Sequence, residues 1–132
     1  MNISYNQITS GNTQLIEYLK SFLMDKRNNL ISLNISHNVI EDKNMAELLV
    51  GFSKNATLKR FWACNVKITD FSCVIFGTML KFDQKLELLD LSENLINNES
   101  VTQIFKGIIS NTTLNTLYLC NCGLNNKHIR VL

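Results

Sequence analysis

Four cysteines and two histidines have the most chemical capacity in this sequence. Cys120 and Cys122 form a Cys-x-Cys pair, a spacing that can grip a soft metal or cycle between dithiol and disulfide. Both chemistries need further ligands, and a lone pair with no second Cys or His pair is a weak signal. Cys64 and Cys73 stand alone, and His37 and His128 are far apart, so neither a two-histidine metal site nor a Ser/His/Asp arrangement can be assembled. The five glycines, Gly11, Gly51, Gly77, Gly107 and Gly123, never cluster into a phosphate-cradling loop. We therefore expect no catalytic residues, no metal ligands and no cofactor, so that the chain is not an enzyme. What remains is recognition chemistry, because Trp, Tyr and Arg most often carry interface energy, and the chain has Trp62, Arg60 and Tyr118 to offer.

The elements that would present those residues follow from a repeat. The segments LISLNISHNVI, LKRFWACNVKI, LELLDLSENLI and LNTLYLCNCGL start at Leu30, Leu58, Leu86 and Leu114, a constant step of 28 residues. A fifth copy, MNISYNQI, holds only the later positions of the same eleven-residue frame. Positions 1, 4 and 6 are apolar in every full copy: Leu30, Leu33 and Ile35, then Leu58, Phe61 and Ala63, then Leu86, Leu89 and Leu91, then Leu114, Leu117 and Leu119. Positions 4 and 6 alternate to one face, as a pleated strand requires. Position 9 reads Asn6, Asn38, Val66, Asn94 and Cys122. Inward amides there would satisfy backbone groups freed where each strand turns away, and Val66 interrupts them, which predicts a looser or differently turned third coil.

Between frames the spacing is helical. Leu15, Ile16, Leu19, Phe22 and Leu23 form one stripe, and Met45, Leu48, Leu49 and Phe52 another. One period on, the stripe continues as Cys73, Phe76 and Leu80, then as Val101, Ile104 and Ile108. Asp42, Asp70 and Asn98 are expected as N-caps, and NNKHIRVL as the first turns of a last helix. A strand, crossover helix and parallel neighbouring strand, stacked at equal steps, predict an α/β right-handed solenoid, a horseshoe arc of about five repeats with strands on the concave face and helices on the convex face. An open doubly wound sheet is the alternative, weakened by the identical spacing.

With this frame, residues 1–132 form a single domain. The frame is cut at both ends, so the chain is expected to be a piece of a longer array with uncapped ends open to self-association. A 45% hydrophobic, 18% charged composition is that of a folded protein, and a net charge of +2 is too mild for a nucleic-acid face. No apolar run is long enough to span a bilayer, and the N-terminus has no secretory signature. Cys64 and Cys120 share one column about 10 Å apart by strand spacing, beyond disulfide reach. Free thiols and a cytoplasmic location are expected. The Asn-x-Ser/Thr triplets at Asn2, Asn34, Asn55, Asn98 and Asn111 are what an Asn-rich and Ser/Thr-rich composition generates.

The frame LxxLxLxx(N/C)x(L/I), the helical insert and the 28-residue step resemble the ribonuclease-inhibitor subfamily of leucine-rich repeats, across nearly the whole chain. The resemblance implies intracellular protein binding on the concave face. Val66 and Ala63 depart from the pattern and mark the third repeat as the least regular.

Positions 3, 5, 7 and 8 are expected to point outward. The candidate partner-binding residues are Trp62, Arg60, Tyr118, Asn34, Asp90, His37 and Glu93. The expected partner is another protein, with no nucleic acid and no membrane. Family breadth suggests, as alternatives, a GTPase-activating regulator or a structural or sensor segment of a larger receptor. The first of these wants a loop arginine, and the loops after the strands carry Thr9, Glu41, Thr69, Asn97 and Asn125 instead.

Overall fold

The structure, a computed structural model, describes residues 1–124. Helices and strands alternate: α1 (Thr13–Met24), β1 (Ser32–Asn34), α2 (Glu41–Lys54), β2 (Arg60–Trp62), α3 (Asp70–Phe82), β3 (Leu88–Asp90), α4 (Asn98–Ile109) and β4 (Thr116–Tyr118). The strands form one parallel sheet in sequence order, β1-β2-β3-β4. Register keeps the 28-residue step, with Leu33 beside Phe61, Phe61 beside Leu89 and Leu89 beside Leu117.

The molecule does not form the right-handed horseshoe solenoid of about five repeats that the spacing predicts. Among the described residues the molecule is a small α/β domain of four helices and one four-stranded sheet. The segment read as a fifth copy lays down no strand. It meets the sheet through one isolated bridge, Asn2 with Asn34, and donates Ile3 N–H to the Asn34 carbonyl at 2.9 Å and Tyr5 N–H to the Ser36 carbonyl at 3.1 Å. Lacking the frame's early positions, it has too few extended residues to extend the ladder. The helical turns read from NNKHIRVL, and His128, lie outside the described residues.

Leu33, Phe61 and Leu89 are buried and join a core shared with the helical stripes, Ile16, Leu19 and Leu23 of α1, Met45, Leu48 and Phe52 of α2, Cys73, Phe76 and Leu80 of α3, and Val101 and Ile104 of α4. Phe61 lies between two helical rings, 5.7 Å from Phe52 and 6.4 Å from Phe76 by ring centroids. Ala63, two residues on, is fully buried, so a larger side chain there would need new space in the core.

Buried amides set the turns. Asn38 accepts from the Asn6 and Ile8 N–H groups, both at 3.1 Å, and donates to the Ile3 and Ile35 carbonyls at 3.0 and 2.8 Å. Asn94 repeats the pattern toward Val66 N–H at 2.9 Å and the Ala63 carbonyl at 2.8 Å. At Val66 the turn differs, because its own carbonyl takes the Ile40 and Glu41 N–H groups at 3.1 and 3.0 Å. A second series at the helix ends, Asn55 and Asn111, ties each helix exit to the previous unit by donating to the Leu23 and Leu80 carbonyls at 3.0 and 2.8 Å.

The N-caps fall elsewhere than the spacing suggested. Asp42, Asp70 and Asn98 sit inside the first turns of their helices, while Ile40, Thr69 and Asn97 take the cap positions. Asn97 accepts from Ser100 N–H at 2.9 Å. The two aspartates reach forward instead. Asp42 accepts from the Thr69 and Ser72 hydroxyls, both at 2.6 Å, and from Thr69 N–H at 2.9 Å, and Asp70 accepts from Asn97 N–H at 3.1 Å. Each therefore anchors the start of the following helix.

Candidate protein-binding face

The alternation that buries Leu33, Phe61 and Leu89 turns their neighbours to the other side of the sheet, away from the helices. One row there is Asn34, Trp62, Asp90 and Tyr118, each paired in register with the next. Three strand spacings of about 4.8 Å make the row about 14 Å long. Asn34, Trp62 and Asp90 are half-buried and Tyr118 is 45% exposed. Beside it runs a second row, Ser32, Arg60, Leu88 and Thr116, in which Arg60 is exposed.

The carboxamide of Asn34 and the carboxylate of Asp90 each accept from a backbone N–H two residues on, Ser36 and Ser92, at 2.9 Å. These short turns hold the two side chains on either side of the Trp62 indole, so the aromatic is flanked by fixed polar groups. A half-buried indole flanked in this way has less conformational entropy to lose on binding than a free surface side chain.

His37 and Glu93 belong to a third row, where the chain leaves the sheet. Tyr5, His37, Asn65, Glu93 and Asn121 all have left-handed backbone, with φ from 48° to 58°. The bend costs roughly 1–2 kcal/mol per non-glycine residue. It is held by backbone bonds between units, from His37 N–H to the Cys64 carbonyl at 2.8 Å, Asn65 N–H to Ser92 at 2.9 Å and Glu93 N–H to Cys120 at 2.8 Å. Tyr5 stacks on His37 at 4.1 Å with an interplanar angle of 12°, and Lys67 donates to Asn65 at 2.8 Å. The seven candidates thus share one side of the sheet but fall in three rows.

Position 7, expected outward, is divided: Cys64 is half-buried and Cys120 exposed, but the serines there are not outward. Ser36 and Ser92, at position 7, are buried, and their hydroxyls accept from Cys64 and Cys120 N–H at 3.0 and 3.1 Å. At this position strand alternation has ended, and the hydroxyl takes the place of a ladder partner. Two residues not singled out from sequence belong to the face, Leu88 in the second row and exposed Tyr5 in the third. Their columns were visible, and only the weight given to residue type passed over them.

Three of the four thiols, Cys64, Cys73 and Cys122, are poorly suited to nucleophilic chemistry. Burial first, then the nearby Glu93 and Asp90 carboxylates, push Cys64 up to about 11. Burial pushes Cys73 up to about 12 and also raises Cys122. Cys122 donates its thiol to the Leu91 carbonyl at 3.3 Å, which places it in the amide column as a weaker stand-in. All four cysteines are free. Among the described residues no group of three His, Cys, Asp or Glu side chains is arranged to hold a metal, and no helix is long and apolar enough to cross a membrane.

No family model matches the chain. Among solved structures it superposes on a chain described as "Leiomodin-1 Actin-Binding Site 2 (ABS2)" with a TM-score of 0.70 and 22% identity. The fold is similar to that of a leiomodin actin-binding site. The match covers 82% of this chain and 61% of the leiomodin chain, so this chain spans about three fifths of that length. This likeness, with the four strands and four helices, replaces the five-repeat horseshoe expected from sequence.

Proposed function

We propose that the chain is a protein-binding module, not an enzyme, and that it docks its partner on the helix-free face of the sheet. The observation that carries this reading is the row Asn34–Trp62–Asp90–Tyr118, a stripe holding two aromatics on a hydrogen-bonded sheet with none of the described helices laid over it. Trp62 is its centre, Tyr118 and Arg60 its flanking anchors, and Asn34, Asp90, His37 and Glu93 supply polar contacts around them. Large aromatic and guanidinium groups carry most binding energy at protein interfaces.

The leiomodin likeness makes actin the first partner to test and a cytoplasmic setting the natural one. The likeness to ribonuclease-inhibitor-type repeats rests on the eleven-residue frame and points the same way, toward protein binding. Purified monomeric and filamentous actin, titrated against the wild-type chain, Trp62→Ala and Arg60→Ala, provide the test. Each substitution is expected to weaken binding by about 1–4 kcal/mol. Arg60→Ala leaves the melting temperature unchanged because that side chain is exposed. Undiminished affinity in both variants would remove the sheet face from the interface.

A further inference from the structure

The helical layer is unevenly packed. α1 and α2 meet at Gly51, and α3 and α4 at Gly77 and Gly107, where added Cβ atoms would fall 2.8, 2.2 and 2.1 Å from backbone oxygens of the facing helix. No glycine mediates the contact of α2 with α3, and between them lies a groove of about 570 Å³. Its walls are Ala46, Leu49 and Val50 on one side and Ile75, Met79 and Phe82 on the other. Val50 and Phe82 stand 45% and 73% exposed at its mouth, although both are apolar.

The exposed charge at the C-terminal ends of these two helices is positive. Lys54 and Lys81 occupy the last turns of the two helices, both exposed, and Lys85 joins the lining. The one acid in the lining, Asp83, is buried and paired with Lys85. The opposite end of α3 has the reverse character, with Asp70 and Glu99 beside exposed Phe71 and Val74. An anionic ligand is therefore drawn to the Phe82 end and repelled from the Phe71 end.

Two helices held apart over an apolar floor are the receptor half of helix-in-groove recognition. We infer that the α2–α3 groove is a second docking site, on the opposite side of the molecule from the sheet face, for an amphipathic helix of a partner protein. Its apolar stripe enters between Val50 and Phe82, and its acidic flanks meet Lys54 and Lys81. A second copy of this chain has no such helix to offer among its described elements, since the stripes of α1 to α4 are turned into the core.

The probe is a stapled, fluorescein-labelled helical peptide with leucine at i, i+3, i+4 and i+7 and glutamate elsewhere, compared with a twin in which lysine replaces glutamate. Fluorescence anisotropy against the wild-type chain should show the glutamate peptide bound about tenfold or more tighter than its twin, by an amount that shrinks with added salt. Val50→Asp combined with Phe82→Asp should weaken it about tenfold or more. Lys54→Glu with Lys81→Glu should reverse the preference between the peptides. All four positions are exposed, so unchanged thermal melts verify that each variant is folded. Absence of binding, equal binding of the two peptides, or indifference to the Val50 and Phe82 changes would overturn the inference. So would a wild-type dimer in sedimentation that the same two changes dissolve, because the groove would then serve a second copy.

Discussion

At the scale of single residues, the buried amides do more for this fold than their share of the surface suggests. Asn94 is 2% exposed and reaches Val66 N–H, Ile68 N–H and the Ala63, Leu91 and Ser92 carbonyls. Asn94→Ala would strip partners from several buried backbone groups at once, and each unsatisfied group costs about 1–3 kcal/mol. Urea unfolding should register a loss of about 3 kcal/mol or more. Asn6→Ala, in the same column but exposed and donating only to the Ser4 carbonyl, should stay within about 0.5 kcal/mol. The column was readable from sequence because a polar residue recurring among apolar ones must be satisfied. The buried serines were not, since nothing in their type or spacing separates a surface hydroxyl from one that accepts a neighbouring unit's N–H.

At the scale of elements, the helical stripes followed their periodicity, whereas the way helices touch and start did not. Close approach depends on a missing Cβ, and although Gly51 and Gly107 stand two 28-residue steps apart, Gly77 falls outside their column and the unit between them has Met79 there. Gly107→Ala is the sharp test, because its Cβ would lie 2.1 Å from the Gly77 carbonyl oxygen. Alanine gains about 1 kcal/mol of intrinsic helix propensity over glycine, so on propensity alone the variant would be more stable. We expect it to be less stable, by about 1–3 kcal/mol as for other overpacked sites, in chemical denaturation. Asp42 shows a second coupling between elements. Burial raises its pKa, but hydrogen bonds from Ser72 and Thr69 outweigh burial and hold it below the ordinary 3.8. A folded-state value below the unfolded one gives stability that is present above pH 3.8 and is lost as pH falls through the folded value. The stability gap between the wild-type chain and Asp42→Asn should therefore narrow between about pH 7 and about pH 3 when denaturant midpoints are compared.

At the scale of the whole molecule, an equal step of 28 residues sufficed to place four strands in register, from Ser32, Arg60 and Leu88 to Thr116. Extrapolating that step to a fifth unit failed. Ile8 and Ile40 stand 32 residues apart, and the N-terminal segment carries only the later part of the frame, so it pairs at a single bridge. The two layers have unlike surfaces, an aromatic and polar sheet face and a helical layer with an open apolar groove between α2 and α3. Sequence spacing exposed the first through alternation and missed the second, because a groove between helices reflects how far apart they are held and no single stripe encodes that distance. The central claim is that the sheet face holds the protein partner. Amide hydrogen exchange of the chain with and without saturating purified actin tests it most directly. Protection is predicted along Ser32–Asn34, Arg60–Trp62, Leu88–Asp90 and Thr116–Tyr118 and in the turns carrying His37 and Glu93. An exchange pattern unchanged by actin, or protection confined to α1 through α4, would contradict the account.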